Sequence, residues 1–242
     1  MVDLWGLTDK GMVRAQNQDA CAFQQKDGYA WAVVCDGMGG AAAGDLASTM
    51  ARDRYESHMA YLEAPTLELE EGDLMLQAVQ DANRAVYLKA GTNRAFAGMG
   101  TTLVAALIRG HDLWMVNVGD SRGYRVTGGH IRQITRDHSV VEELIQHGAL
   151  TPEEARRHPQ RNLITRALGT TKQVKADLFR ETLEDGDAIL LCSDGLVNEV
   201  TDQEILQEVL AGGTAAEVCH RLLDRALDAG ASDNVTVVLF QV

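Results

Sequence analysis

Residues 102–134 read TLVAALIRGHDLWMVNVGDSRGYRVTGGHIRQI. Four apolar runs follow one another there, at 102–108, 113–118, 123–126 and 131–134. Short runs of this kind, broken by glycine and polar residues, read as β-strands. The last two are joined by Gly128-Gly129. A two-residue glycine link suits a tight hairpin, because such turns need a positive φ that only glycine adopts freely. Hairpins imply antiparallel pairing, since parallel neighbours need a long crossover. The stretch therefore excludes a purely parallel, doubly wound sheet.

Working outward, strand-like runs recur at 31–35, 188–192 and 235–242, and helical spacing at 45–62, 74–89, 203–210 and 215–227. Thr201 or Asp202 caps the third helix. Helices come in pairs separated by groups of strands. That order predicts an α+β protein with two antiparallel sheets packed together and helix pairs outside. Residues 139–160 fit the plan poorly. They read as one or two short helices, with Pro152 at a helix start, forming an insert over the surface. With 242 residues, three prolines and no repeat or linker, one domain over 1–242 is the simplest organisation.

Bulk composition narrows the function. Apolar residues make up 45% and charged residues 24%, ordinary for a globular chain. No apolar run reaches the ~20 residues of a membrane span, and the N-terminus lacks the basic start and apolar stretch of a signal peptide. Cys21, Cys35, Cys192 and Cys219 are scattered, without a CxxC pair. These features predict a cytoplasmic protein with neither disulfides nor a zinc site. The net charge of −13 argues against a nucleic-acid partner. The charge is uneven: residues 122–172 hold nine Lys/Arg against five Asp/Glu, so that segment is +4 and the rest −17. The segment is either a surface for phosphorylated partners or an ordinary solvated insert.

The chemistry lies in a repeated placement. Apolar strands run directly into an aspartate beside glycine at Cys35-Asp36-Gly37, Val118-Gly119-Asp120 and Ser193-Asp194-Gly195. The order is reversed at Gly230-Ala-Ser-Asp233-Asn234, and Asp19 precedes a further run. One such aspartate is an ordinary turn residue, as Asp185 before Gly186 is. Five on one face would repel each other and lose hydration unless cations bound among them. All-oxygen sites select hard ions such as Mg or Mn. Two such ions about 3.5–4 Å apart can share a carboxylate and activate a water. One competing motif is Gly37-Met-Gly39-Gly-Ala-Ala42, which satisfies a loose dinucleotide-binding pattern. Against it, Asp36 would set a carboxylate beside the pyrophosphate, and the strands form hairpins rather than βαβ units.

At this point the chain resembles a known family, protein phosphatase 2C, the PPM metal-dependent phosphatases. Seven stretches carry the resemblance in the family's order. They are Thr8-Asp-Lys-Gly11-Met-Val-Arg14-Ala-Gln-Asn17-Gln18-Asp19, Asp36-Gly37-Met38-Gly39-Gly40, Gly100-Thr101-Thr102, Val118-Gly119-Asp120-Ser121-Arg122, Thr135-Arg-Asp137-His138-Ser139, Cys192-Ser193-Asp194-Gly195-Leu196 and Ser232-Asp233-Asn234-Val235-Thr236. The resemblance implies a four-layer α-β-β-α sandwich and a phosphoserine/phosphothreonine phosphatase with two Mn2+ or Mg2+ ions. In that scheme Asp36 bridges the two ions and Gly37 lends its carbonyl. Asp194 and Asp233 bind the first ion, Asp19 holds water near the second, and Asp120 helps bind a third, weaker ion. Arg14 grips the substrate phosphate, a task suited to a planar, permanently charged fork. Residues 139–160 correspond to the family's variable flap. The expected partners are phosphorylated proteins and a Ser/Thr kinase, and the expected state is a monomer. A pseudophosphatase acting as a binding module would lack metal ligands, whereas Asp36, Asp194 and Asp233 are all present.

Two positions depart from the family. Ala41 stands where many relatives carry a histidine proposed as general acid, and Gln18 stands where many have glutamate. The leaving group is then expected to take its proton from a metal-bound water, with His138 as a substitute acid or, on the plainer view, a structural turn residue.

Overall fold

A computed structural model describes residues 2–40, 43–63, 70–155 and 157–242. The strands are β1 (Asp3–Asp9), β2 (Asp19–Lys26), β3 (Tyr29–Met38), β4 (Gly100–Thr101), β5 (Leu103–Arg109), β6 (Asp112–Val118), β7 (Arg122–Thr127), β8 (His130–Gln133), β9 (Asp177–Thr182), β10 (Ala188–Cys192) and β11 (Val235–Gln241). The helices are α1 (Ala43–Met59), α2 (Glu71–Ala90), α3 (Val140–Gln146), α4 (Pro152–Ala155), α5 (Asp194–Val197), α6 (Asp202–Leu210) and α7 (Ala215–Asp228). One sheet has the order β1-β11-β10-β7-β8 and the other β2-β3-β5-β6-β9, with β4 added to β3. Every paired strand is antiparallel.

Three apolar layers hold the stack together, and strand periodicity builds them. In β3, Trp31, Val33 and Cys35 pack under α1 and α2, while Ala30, Ala32 and Val34 face the other sheet. In β10, Leu190 and Cys192 pack under α6 and α7, while Ile189 and Leu191 face inward. Both faces of these central strands are buried, so they read as continuous apolar runs rather than alternating ones. Each fully buried Leu or Ile contributes about 1.5–3 kcal/mol. The result is the α-β-β-α order expected from the sequence.

The helix starts follow local chemistry. Thr201 and Thr214 each accept from the backbone N–H three residues on, and Glu204 and Glu217 close the two capping boxes. Ser139 caps α3 by accepting from Glu142 N–H, and Pro152 opens α4. Two strands are not evident in the sequence. β1 is interrupted by Gly6, and β9 is an edge strand with mixed polar residues. No helix among the described residues is long and apolar enough to cross a membrane.

Candidate active site

The β2–β3 hairpin places Asp19 directly opposite Asp36. Residues paired across an antiparallel ladder share one face, so both carboxylates lie on the same side of the sheet. Asp36 is fixed through its main chain. Its N–H donates to Thr102 Oγ1 at 3.0 Å, and its carbonyl accepts from Thr102 N–H and Thr101 Oγ1, both at 2.8 Å. Thr102 is backed in turn by Ser121 at 2.7 Å. Gly37 is required by crowding, since a Cβ there would stand 2.1 Å from the carbonyl oxygen of Gly44.

The other sheet brings the remaining aspartates. Asp194 opens the short α5, and its Oδ2 accepts from Asn198 at 3.1 Å. Gly195 lies against the loop before β11: a Cβ there would meet Asn234 O at 2.0 Å. That closeness draws Asp233 beside Asp194. Asp36, Asp120, Asp194 and Asp233 line one cleft of about 440 Å³ together with Arg14, Gly37, Thr102 and Asn234. Arg14, half exposed, pairs with Asp233 Oδ2 at 2.6 Å. Asp19 is buried behind the cleft floor.

Electrostatics register the crowding. Burial, followed by the charges of Asp19, Asp194, Asp120 and Asp233, pushes Asp36 well above the usual carboxylate range. Burial and then Asp194 and Asp137 push Asp120 up to about 8. Burial raises Asp19 to about 6 against two hydroxyl hydrogen bonds, and burial with Asp233 raises Asp194. Two unit charges about 4 Å apart interact by about 4 kcal/mol at an effective dielectric near 20. A cleft this negative repels a phosphate until cations enter it.

The residues fit such cations. Asp19 Oδ1 and Asp194 Oδ1 are buried with no hydrogen-bond partner among the described residues, which is costly for a carboxylate oxygen unless something else engages it. Among the described residues no three His, Cys, Asp or Glu side chains form a ready-made metal cage. That accords with Mg-type sites, where one or two carboxylates and several waters complete the shell. The orphaned oxygens and the mutual repulsion weigh more here than the lack of a closed cage.

The chain's close similarity to known proteins points the same way. A profile of protein phosphatase 2C matches residues 12–232. The chain belongs to the protein phosphatase 2C family. The serine/threonine phosphatase stp of Listeria monocytogenes is 38% identical over 239 residues, 97% of this chain and 93% of that protein. The serine/threonine protein phosphatase PstP of Mycobacterium tuberculosis is 42% identical over 241 residues, 97% of this chain but 44% of PstP. A structure of the S. agalactiae serine/threonine phosphatase superposes with a TM-score of 0.92 at 36% identity, covering 100% of both chains. The catalytic domain of PstP in complex with 2 manganese ions gives 0.85 at 37% identity, covering 99% of this chain and 97% of that one.

His138 is buried and bound on both nitrogens: Gly119 N–H donates to Nδ1 at 3.0 Å, and Nε2 faces Asp177 Oδ2 at 3.2 Å. With Nδ1 accepting, Nε2 carries the proton, so Arg166 beside it donates instead to Asp177 Oδ1 at 3.0 Å. Burial chiefly lowers the His138 pKa, and protonating Nδ1 would break the Gly119 bond. Its chemistry is that of a turn support. Ala41 lies outside the described residues, as does Ala42 of the dinucleotide-like pattern. Gln18 Nε2 donates to Gly40 O at 2.8 Å, holding the loop after β3.

Five arginines of the basic segment are paired with carboxylates, most of them beyond residue 172. Arg122 pairs with Asp137, Arg125 with Glu181 and Asp187, Arg132 with Glu181, Arg136 with Glu142 and Arg166 with Asp177. Its excess of +4 is therefore a poor guide to a partner surface. Just beyond residues 139–160, Asn162 and Ile164 line the cleft, and Ile164 bridges back to Ser139.

Asn234, beside Asp233, is buried. Its Nδ2 donates to Lys10 O at 2.9 Å and Gln16 O at 3.0 Å, and its Oδ1 accepts from Gln18 N–H at 2.8 Å. One amide thus fastens the Arg14 loop to the Asp233 loop. The available signal was an Asn directly after a site Asp and before an apolar run, which needs a reason to be buried.

Proposed function

We propose that this protein hydrolyses phosphoserine and phosphothreonine in proteins with the help of two Mn2+ or Mg2+ ions, reversing the work of a Ser/Thr kinase. The observation that carries the reading is the convergence of Asp36, Asp194, Asp233 and Asp120, from two different sheets, on one cleft with Arg14 at its mouth. Asp36 would be the carboxylate shared between the ions, with Gly37 contributing its carbonyl. Asp194 and Asp233 would complete the first site, Asp19 would support the second, and Asp120 would serve a weaker third. Bound there, the ions supply Lewis-acid activation of water and neutralise the phosphate.

The chain's own residues do the rest. Arg14 exchanges one oxyanion for another: its fork, held by Asp233 at 2.6 Å, turns to the phosphate oxygens when substrate enters. Thr101 and Thr102 keep the Asp36 main chain from drifting as charge changes in the cleft. Ala41 has no proton to give and both His138 nitrogens are engaged. The departing serine or threonine oxygen therefore draws its proton from water in the cleft. Four free thiols agree with a reducing, cytoplasmic setting.

Manganese-dependent hydrolysis of a phosphothreonine peptide tests the reading. Asp36→Asn should abolish it. Arg14→Ala should lower kcat/KM by about 10–100-fold, the worth of a charge-assisted hydrogen bond. Unchanged activity in Asp36→Asn would overturn the assignment.

A further inference from the structure

Asp19 is the end point of a directed hydrogen-bond chain. Thr236 Oγ1 donates to its Oδ2 at 2.6 Å and Ser193 Oγ donates to the same oxygen at 2.7 Å. The chain extends backward. Thr8 Oγ1 lies 2.7 Å from Thr236 Oγ1, and Asn17 Nδ2 donates to Thr8 Oγ1 at 2.8 Å. Asn17 Oδ1 then accepts from Asp19 N–H at 3.1 Å, closing a ring that begins and ends on Asp19.

The direction of each proton follows from the ends. A carboxylate can only accept, so Thr236 spends its proton on Asp19 and must accept from Thr8. Thr8 in turn accepts from the Asn17 amide, which can only donate. Ser193 Oγ accepts from Thr236 N–H at 3.0 Å, which sends the serine proton the same way. Two hydroxyl donors therefore converge on Oδ2, while Oδ1 has no hydrogen-bond partner among the described residues. Thr236 lies in β11 of the five-stranded sheet, Ser193 directly follows β10 of that sheet, and Asp19 opens β2 of the six-stranded sheet, so the chain crosses from one sheet to the other.

We infer that Thr236 and Ser193 are positioning residues for the metal centre: their two bonds to Oδ2 lock the rotation of Asp19 and leave Oδ1 for the metal site. This rests on the metal-dependent reading above. Groups that orient a metal-binding carboxylate usually matter about 10–100-fold in metal affinity. Thr8 and Asn17 act one and two bonds further back, Thr8 by donating to Thr236 and Asn17 by donating to Thr8.

Calorimetric titration of Mn2+ into the metal-free enzyme tests this without reference to turnover. Thr236→Val keeps the shape and removes the donor, and should weaken Mn2+ binding by about tenfold. Thr236→Ser restores the donor and should bind within about threefold of the parent, a rescue that a purely packing role would not produce. Ser193→Ala, the second variant, removes the other donor from Oδ2 and should weaken binding similarly, so the test survives if Thr236→Val does not fold. Asp36→Asn separates the two levels. Parental Mn2+ affinity in Asp36→Asn would overturn the metal site itself. Loss of Mn2+ there, with parental affinity in Thr236→Val and Ser193→Ala, would overturn the positioning role alone.

Discussion

Asp36-Gly37 and Asp194-Gly195 are the same dipeptide at the end of a buried strand, one in each sheet. Both glycines stand where a Cβ would overlap a carbonyl oxygen, at 2.1 Å for Gly37 and 2.0 Å for Gly195. What holds the aspartates differs. Asp36 is clamped by three hydrogen bonds to its own main chain, all from Thr101 and Thr102. Asp194 relies on the neighbouring loop pressed against Gly195, and its side chain accepts from Asn198 at 3.1 Å. The six-stranded side therefore supplies a ligand on a fixed backbone. The five-stranded side supplies ligands whose spacing depends on two loops staying in contact.

The largest effect should come from disturbing that contact. Gly195→Ala forces the 233–234 segment away, and with it Asp233 and the three Asn234 bonds that fasten the Arg14 loop. Overpacking of this kind costs about 1–3 kcal/mol, and Mn2+ binding should be lost. Gly37→Ala meets the carbonyls of Gly44 and Gln18 instead. It should weaken Mn2+ binding while leaving the Asp233 side in place. Equal thermal and calorimetric losses in the two variants would erase the contrast between the sheets.

A smaller pair of changes sharpens it. Thr102→Val leaves the Asp36 N–H without its acceptor, a loss of about 1–3 kcal/mol for a buried donor. Asn198→Ala removes an exposed bond to Asp194 and should cost about 0.5–1.5 kcal/mol. Denaturant unfolding of the metal-free protein would measure both, and a reversed order would show that the clamp on Asp36 is not the stronger device.

A last test concerns pH. Asp120 is raised to about 8 and Asp19 to about 6, above their unfolded value of 3.8. Between those limits the native, metal-free state holds more protons than the unfolded chain. Its stability should therefore fall as pH rises from about 4 to 8. Asp120→Asn should flatten the upper part of that decline, as followed by melting temperature from pH 5 to 8.5. A melting temperature that rises across the same range in the metal-free parent would contradict the assignment.

Much of this was legible in the sequence because the informative residues sit where strand periodicity breaks. An aspartate and a glycine closing an apolar run state both the strand and its end. The four layers follow from strands too apolar to have a wet face. Other features are written in partners far apart along the chain. Thr236 is an unremarkable β-branched residue until Asp19 and Thr8 are found beside it, 217 and 228 positions away. The basic excess of residues 122–172 left two readings open for a similar reason, since Glu181, Asp187 and Asp177, which pair with its arginines, lie outside that window. β9 was missed because an edge strand needs few apolar residues.

The seam between the sheets has a mechanical meaning. Asp19 and Asp36 ride on one sheet, Asp194 and Asp233 on the other, and the interior between them is built partly of small side chains such as Ala30, Ala32 and Ala106. The centre therefore works like the jaws of a calliper. A slip of half a residue between the sheets, about 1.7 Å, would open the jaws by nearly a metal–oxygen bond length. Enlarging an alanine in the seam, far from the cleft, should accordingly be felt at the cation before it is felt as unfolding.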